Sequence, residues 1–477
     1  MKLNDNQLKV KEEIFDGEMF HPSLDIKDDI LVIGFRYRSK PNEEKEMFLV
    51  VDSDNNIGVI KSGSFKRKDK SYFFEKKNRK LMSIEEKWSL LEFNKFLDNY
   101  YRADIPPREV FNQVVGLTKK YIELEKDIDY VLLSAWIIGT YFYPIFYAYP
   151  FLNVKAPKRS GKSQCLNLLS QLCFNAIKAR PSLAALSDTV DALRGTYLID
   201  QADSLSRKGG EDLLDILADS YKKGGGKRRV ANFDRKRGRE VLEFETYSPK
   251  VFASIKELPE DLRDRCLTIP LIRSQRNFPD PDDSNENWRE IRGKLYQLLI
   301  TNYRLVRPMY SVRKIEHNNK QEILGRSLEL WLPFEVILEC SGMQESIPES
   351  KKRFLSGYGF TEYEPSELEE EVIKAVLSYF EDKEEVVLTP KGISEIIDED
   401  AFPQGDTPKQ KAAKVGWAIK KFNLASEKKP RTKDGVCYLF EKKKIENIHN
   451  SYCGVVAEHT LPTPMSSDGL NTEEIVV

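Results

Sequence analysis

The stretch from Phe151 to Leu172 constrains this chain more than any other. Phe151, Leu152 and Val154 make an apolar run, Gly161-Lys162-Ser163 follows, and Leu166, Leu168, Leu169 and Leu172 then recur at helical spacing. Strand, loop and helix in that order are the setting in which the pattern G-x-x-x-x-G-K-[ST] grips phosphate. The loop reads Ala156-Pro157-Lys158-Arg159-Ser160-Gly161-Lys162-Ser163-Gln164, with Ala156 where the pattern has its first glycine. Folded this way, the backbone N–H groups of residues 159–163 can wrap a triphosphate at a helix N-terminus. The Lys162 ammonium can then reach the β and γ oxygens, and the Ser163 hydroxyl can ligate Mg²⁺. The competing reading is a chance Gly-Lys-Ser in a basic turn.

Downstream partners fall in the right order. Tyr197-Leu198-Ile199-Asp200 is an apolar run ending in a carboxylate, the pattern of a buried parallel strand that presents Asp at its C-terminal end. Asp200 is the candidate for holding Mg²⁺ through its water shell, against the plainer reading of a turn or N-cap aspartate. The next residue is Gln201, where a water-orienting glutamate is usual; an amide can position water but cannot take its proton. Asp203 is the nearest carboxylate that could substitute. Residues 250–254, Lys-Val-Phe-Ala-Ser, read as another buried strand that brings Ser254 beside the γ-phosphate as a polar sensor. Arg263 or Arg265 would project from the far side of the subunit and complete a neighbour's site, unless local Arg–Asp pairing holds them. Arg326 either reaches the phosphates or makes a structural salt bridge.

Between residues 222 and 239 the basic residues are Lys222, Lys223, Lys227, Arg228, Arg229, Arg235, Lys236, Arg237 and Arg239, and Asp234 is the one acid. Residues 230–233 and 241–244 can pair as a hairpin around 234–237. So dense a positive charge suits a phosphate backbone without sequence reading; a solvated basic loop is the alternative.

Composition narrows the rest. Net charge is −1, so any nucleic-acid signal must be local rather than global. The six cysteines form no C-x-x-C pair and only four histidines are present, so no zinc site is readable. A reduced, cytoplasmic setting is expected, and residues 1–7 show no signal-peptide core. Residues 130–152 lack charge and are long enough to span a bilayer, but Pro144 and Pro150 break them and tyrosines are spread through them. The expectation is a buried helix over 128–142 and no membrane.

The domain organisation expected is a small β-rich domain (1–80), a helical connector (81–127), an α/β P-loop NTPase core with a parallel sheet (128–275), a helical lid (276–345), a linker (346–364), a winged-helix domain (365–450) and a disordered tail (451–477). Lys61, Lys66, Arg67, Lys68 and Lys70 in the first segment read as a solvated face. In the winged helix, the candidate recognition helix carries Lys409, Lys411, Lys414, Lys420 and Lys421 around apolar Val415, Trp417 and Ile419. A lysine-bearing face of this kind suits duplex DNA, although winged helices also dock proteins.

Residues 156–163, 198–203, 247–254, 258–269 and 325–334, in this order, resemble an uncharacterised group of AAA+-type P-loop ATPases found in prokaryotic plasmids, viruses and integrated elements. More distantly they are similar to ring-forming replicative helicases of the minichromosome maintenance type. The resemblance covers about residues 128–340 and departs at Ala156 and Gln201. It implies an ASCE-type α/β core, ATP with Mg²⁺, and a homo-oligomer for which a hexameric ring is reasonable. It also implies that Lys227, Arg228, Arg229, Arg235, Lys236 and Arg237, before the sensor strand, grip single-stranded DNA, while Lys411 and Lys414 serve the winged helix. The function expected is an ATP-dependent DNA helicase of a mobile element. The alternatives are a weakly hydrolysing ATP switch acting as a DNA-binding regulator or loader, and an ATPase whose winged helix docks protein.

Overall fold

The structure is a computed structural model that describes residues 17–67, 70–100, 105–155, 160–179, 182–200, 202, 205, 211–234, 238–255, 258–271, 276–282, 286–321, 323–356, 367–380, 383–403, 405–421, 424–432 and 435–452. The chain forms two compact units, Met1–Thr361 and Glu362–Val477.

The first unit opens with β1 (Gly17–Phe20), β2 (Leu24–Lys27), β3 (Ile30–Lys40), β4 (Glu43–Val51), β5 (Ile57–Ile60), β6 (Ser64–Arg67) and β7 (Lys70–Phe74). Strands β2-β3-β4-β5 make an antiparallel meander, and β1-β7-β6 make a second sheet. Side chains alternate faces along a strand. Leu31, Ile33 and Phe35 of β3 therefore enter the main core with Met47, Leu49 and Val51 of β4. Ile30 and Val32 turn the other way, onto Phe20, Phe48, Tyr72 and Phe74. Both faces are covered, which is why these strands read as unbroken apolar runs.

Four helices follow: α1 (Ile84–Lys87), α2 (Leu90–Asn99), α3 (Pro107–Tyr121) and α4 (Asp127–Phe142). Beyond its first turn, which carries Asp127 and Asp129, helix α4 has no charged residue, and it packs against α3. Among the described residues, Asp127–Ile145 is the one helical stretch long and apolar enough to cross a membrane, and 83% of its 18-residue window is buried inside the protein.

The central layer alternates strand and helix: β8 (Phe151–Lys155), α5 (Lys162–Leu172), β9 (Ile177–Lys178), α6 (Leu183–Leu193), β10 (Tyr197–Ile199), α7 (Glu211–Asp219), the hairpin β11 (Arg228–Asp234) and β12 (Gly238–Phe244), then β13 (Lys250–Ser254), α8 (Glu260–Arg263) and β14 (Cys266–Pro270). Five strands form a parallel sheet in the order β14-β8-β13-β10-β9. The last helices of the unit are α9 (Trp288–Lys320), α10 (Gly325–Cys340) and α11 (Ile347–Leu355). Helix α9 runs for 33 residues within the segment expected to be a helical lid, and contains Pro308. Buried Arg292 of α9 donates to Lys87 O (2.9 Å) and Glu86 O (2.6 Å) at the end of α1 and to Gln171 O (3.1 Å) at the end of α5. One cation thus satisfies the carbonyl ends of two helices.

The β-rich segment is sealed to the central layer by polar groups. Arg194, at the end of α6, donates to Asp25 Oδ1 (2.9 Å) and Leu24 O (2.7 Å), and Ser23 Oγ donates to Leu193 O (2.6 Å).

The second unit contains α12 (Glu367–Ser378), β15 (Glu385–Leu388), α13 (Pro390–Ile396), α14 (Pro408–Lys421), β16 (Glu427–Thr432), β17 (Gly435–Glu441) and α15 (Lys442–Tyr452). Its strands form an antiparallel sheet in the order β15-β17-β16. Val372, Val376, Ile393, Val415, Ile419 and Phe440 fill its core. Helix α15, which closes over that core with Ile445, was not expected from sequence. Of the three apolar residues noted on α14, Val415 and Ile419 are buried and Trp417 is 58% exposed. Two residues on from Val415, it stands about 200° round the helix from the buried stripe.

Candidate nucleotide site and basic hairpin

In a parallel sheet the strands' carboxyl ends share one edge, where α/β proteins place ligands. Lys155, the last residue of β8, is the register partner of Ser254 at the end of β13. Ile199 of β10 pairs with Phe252, so Asp200 emerges at the same edge. One strand separates β8 from β10, which sets them roughly 10 Å apart. Strand β8 thus ends at this edge beside Ser254, and α5 begins at Lys162 after Gly161.

Gly161 stands just ahead of α5 with φ +79°, a left-handed backbone that favours glycine. No side-chain hydrogen bond caps this N-terminus. The first-turn N–H groups at Lys162, Ser163 and Gln164 have no carbonyl within the helix to bond, and they lie at the positive end of its dipole. Ser163 is exposed and Lys162 half-buried. Gln164 Nε2 donates to Pro279 O at 2.8 Å. Ser160 is 7% exposed, and its hydroxyl has no hydrogen-bond partner among the described residues. Ala156, Pro157, Lys158, Arg159, Gln201 and Asp203 lie outside the described residues.

Beneath this edge a polar relay crosses three strands. Ser254 Oγ donates to Asn153 Oδ1 (3.1 Å), and Asn153 Nδ2 donates to Thr268 Oγ1 (3.2 Å). All three residues are buried. Asn153 was missed by the sequence reading; a lone amide inside the apolar run 151–154 was its signal. Among the described residues no cluster of three His, Cys, Asp or Glu could hold a metal by itself. A metal at this edge would therefore rely on Ser163, Asp200 and the phosphates of its nucleotide, the donor set of a Mg²⁺–nucleotide site.

The candidate arginines lie elsewhere. Arg265 precedes β14, whose first residue pairs with Phe151 at the amino edge of the sheet. Arg265 is 9% exposed, and its guanidinium lies over the Tyr221 ring with 5.3 Å to the centroid. Arg326 lies 6.0 Å from the same ring, with Nη1 3.5 Å from Asp264 Oδ2. Arg263 is half-buried in the last turn of α8. The fold brings Lys162, Ser163, Asp200 and Ser254 to one edge and places Arg265 and Arg326 about a strand's length away, roughly 15 Å.

The basic segment forms the expected ribbon. Strands β11 and β12 pair from Arg228↔Phe244 through Val230↔Leu242 to Asp234↔Gly238, and they join no other strand among the described residues. Lys227 and Arg229 both reach Glu243, Arg229 Nε at 2.9 Å from Oε2. Arg235, Lys236 and Arg237, at the tip, lie outside the described residues. A free two-stranded ribbon is marginal in water, and its base is pinned. Gly226 has φ +62°, and a Cβ there would come 2.6 Å from Ile216 O. Thr246 Oγ1 donates to Gly226 O (2.6 Å), and Glu245 N to Asp191 Oδ1 (3.1 Å). Buried Lys250 donates to Thr246 O (2.7 Å) and Ser248 O (3.2 Å), and burial pushes its ammonium down to about 7.

In the second unit the two lysines singled out on α14 are engaged within the unit itself. Lys411 Nζ lies 3.0 Å from Glu399 and 5.2 Å from the Phe402 ring centroid, and Lys414 Nζ lies 2.5 Å from Asp406.

No protein-family model matches the chain, and no curated protein matches it. Among solved structures it is similar to the NrS-1 C-terminal region at 8% identity and TM-score 0.35, covering 86% of this chain and 96% of that one. It is similar to a full-length MCM homologue from Methanopyrus kandleri at 10% identity and TM-score 0.31, covering 68% and 76%. It is similar to JCV helicase at 15% identity and TM-score 0.24, covering 51% and 70%. Its five-stranded parallel sheet, with a glycine-led helix N-terminus and an aspartate at one edge, makes a P-loop-like core.

Proposed function

We propose that this chain is an ATP-dependent nucleic-acid motor, a DNA helicase of a mobile element that draws single-stranded DNA along its basic hairpin. The observation that carries the reading is the shared carboxyl edge: β13 alone separates the strand leading to Lys162 from the strand ending at Asp200. The first turn of α5 offers N–H groups to phosphate, and Lys162 adds a mobile positive charge. Ser163 and Asp200 would hold the metal, which would supply charge to offset the phosphates. Bound Mg²⁺–ATP would supply a transferable γ-phosphoryl group whose charge the metal offsets. Ser254, held by Asn153, keeps the floor of the site polar and fixed.

Arg265 and Arg326 lie beside Tyr221, toward the edge away from Lys162, and Arg263 ends the short helix just before Arg265. That placement suits completion of the neighbouring subunit's site in a homo-oligomeric ring, hexameric by resemblance. The ribbon β11–β12 projects from the segment between Asp200 and Ser254, so rearrangement around the nucleotide would be passed to its base through Asp191 and Thr246. Helices α9 and α10 serve as the lid. The second unit reads as a winged helix, with α14 as recognition helix and β16–β17 as wing.

A second reading, an ATP-switch regulator or loader that hydrolyses slowly, is favoured by Gln201 in the usual place of glutamate. Turnover with and without single-stranded DNA separates the two. A motor is stimulated severalfold, and reversing the charge of Arg235, Lys236 and Arg237 removes the stimulation and flattens the salt dependence of binding. Turnover indifferent to DNA contradicts the motor.

A further inference from the structure

Four of the five tryptophans, Trp88, Trp136, Trp288 and Trp331, are at most 2% exposed; Trp417 is 58% exposed. Helix α14 buries Val415, Ala418 and Ile419. Lys409, Ala413, Trp417 and Lys420 follow at spacings of four, four and three residues, so they line one open face, and all four are exposed. Lys411 and Lys414 lie to the side of this face, held by Glu399 and Asp406. Lys409 and Lys420 make no ion pair among the described residues. The sequence of α14 contains no acid, so a largely exposed indole shares this face with ammonium groups and no carboxylate on its helix balances them.

This chemistry selects its occupant. A cationic face wants phosphate. An indole has little to read on the edge of a paired base, whereas it stacks well on a base that has left the helix. We infer that the open face of α14 binds single-stranded nucleic acid, with Trp417 stacked on an unpaired base and Lys409 and Lys420 holding the flanking phosphates. The inference rests on the reading of this chain as a nucleic-acid protein. It replaces the duplex contact through Lys411 and Lys414 expected from sequence.

Because the other indoles are buried, acrylamide quenching of the full chain reports on Trp417. Adding a dT20 oligonucleotide should quench the accessible emission and protect it from acrylamide, and a duplex of the same length should do neither at equal occupancy. Dye-labelled dT20 anisotropy should show binding weakened at least fivefold by Trp417→Ala and within about twofold of wild type for Trp417→Phe, since stacking needs only the ring. Lys409→Gln with Lys420→Gln should reduce the salt slope by roughly one to two. Oligonucleotide binding that leaves Trp417 emission unchanged and is indifferent to Trp417→Ala overturns this inference while the hairpin reading stands. No binding of dT20 at low salt overturns both. Shielding of Trp417 that grows with protein concentration and needs no oligonucleotide assigns the face to a second copy of the chain, which also overturns it.

Discussion

Ser254 and Lys155 are register partners at the ends of β13 and β8, and the Ser254 hydroxyl turns into the sheet to donate to Asn153 at 3.1 Å. Ser254→Ala leaves the Asn153 oxygen short of a donor in a buried site. It should lower unfolding free energy in urea by about 1 kcal/mol and reduce ATP turnover, and its effect should be non-additive with Asn153→Ala. Additive effects would mean that the relay does not act as a unit.

Gly161 needs its glycine for its backbone conformation, φ +79°, because a Cβ there would meet nothing within 4 Å among the described residues. Gly161→Ala should cost about 1–2 kcal/mol of left-handed strain, relieved by shifting the loop. Calorimetric titration should show ATP binding weakened several-fold with little change in melting temperature. Wild-type affinity would mean that this turn does not shape the phosphate cradle.

His21 gives the seam between the β-rich segment and α6 a pH dependence. Nε2 lies 2.6 Å from Asp191 O, and Nδ1 accepts from Ser23 N at 3.2 Å, so the ring is held neutral. Burial, aided by the positive charge of Arg194, pushes the imidazole well below its ordinary value. Below about pH 6.5 the unfolded chain takes up a proton that the folded chain refuses, so stability should fall as pH drops from there, by up to about 1.4 kcal/mol per pH unit. His21→Gln should flatten the decline in urea midpoint between pH 6.5 and 5. An unchanged slope would contradict this.

Arg353 of α11 and Asp129 of α4 form a buried ion pair at 2.7 Å, with side chains 8% and 1% exposed. Arg353→Met should cost roughly 3–5 kcal/mol by leaving the carboxylate buried and uncompensated, and adding Asp129→Leu should recover most of the loss. Urea denaturation of the two variants checks both statements. Equal losses in the single and double variants would contradict the pairing.

The local structure around the candidate site could be read from residues because it depends on local chemistry. Gly161-Lys162-Ser163 announces a helix N-terminus, Leu198 to Asp200 announces a strand with a carboxylate at its end, and the hairpin follows from apolar residues flanking a charged turn. What escaped depends on the surroundings. Helix α9 continues through the charge-rich stretch 304–320 and past Pro308, a length that local propensity alone does not set. Alternation along β3 predicts a strand but not that both its faces are covered. The position of Arg326 beside Tyr221, at the edge away from Lys162, needed three dimensions. The exposure of Trp417 is consistent with the helical period, since the stripe 415, 418, 419 leaves 417 on another face.

The most direct measurement is titration calorimetry of ATP, with and without Mg²⁺, on wild type, Lys162→Ala and Asp200→Ala. If the two residues share one site, Lys162→Ala weakens binding in both conditions and abolishes hydrolysis, whereas Asp200→Ala keeps metal-free binding and loses the strengthening by Mg²⁺. Wild-type binding and hydrolysis in Lys162→Ala, or a full Mg²⁺ effect in Asp200→Ala, would contradict the account.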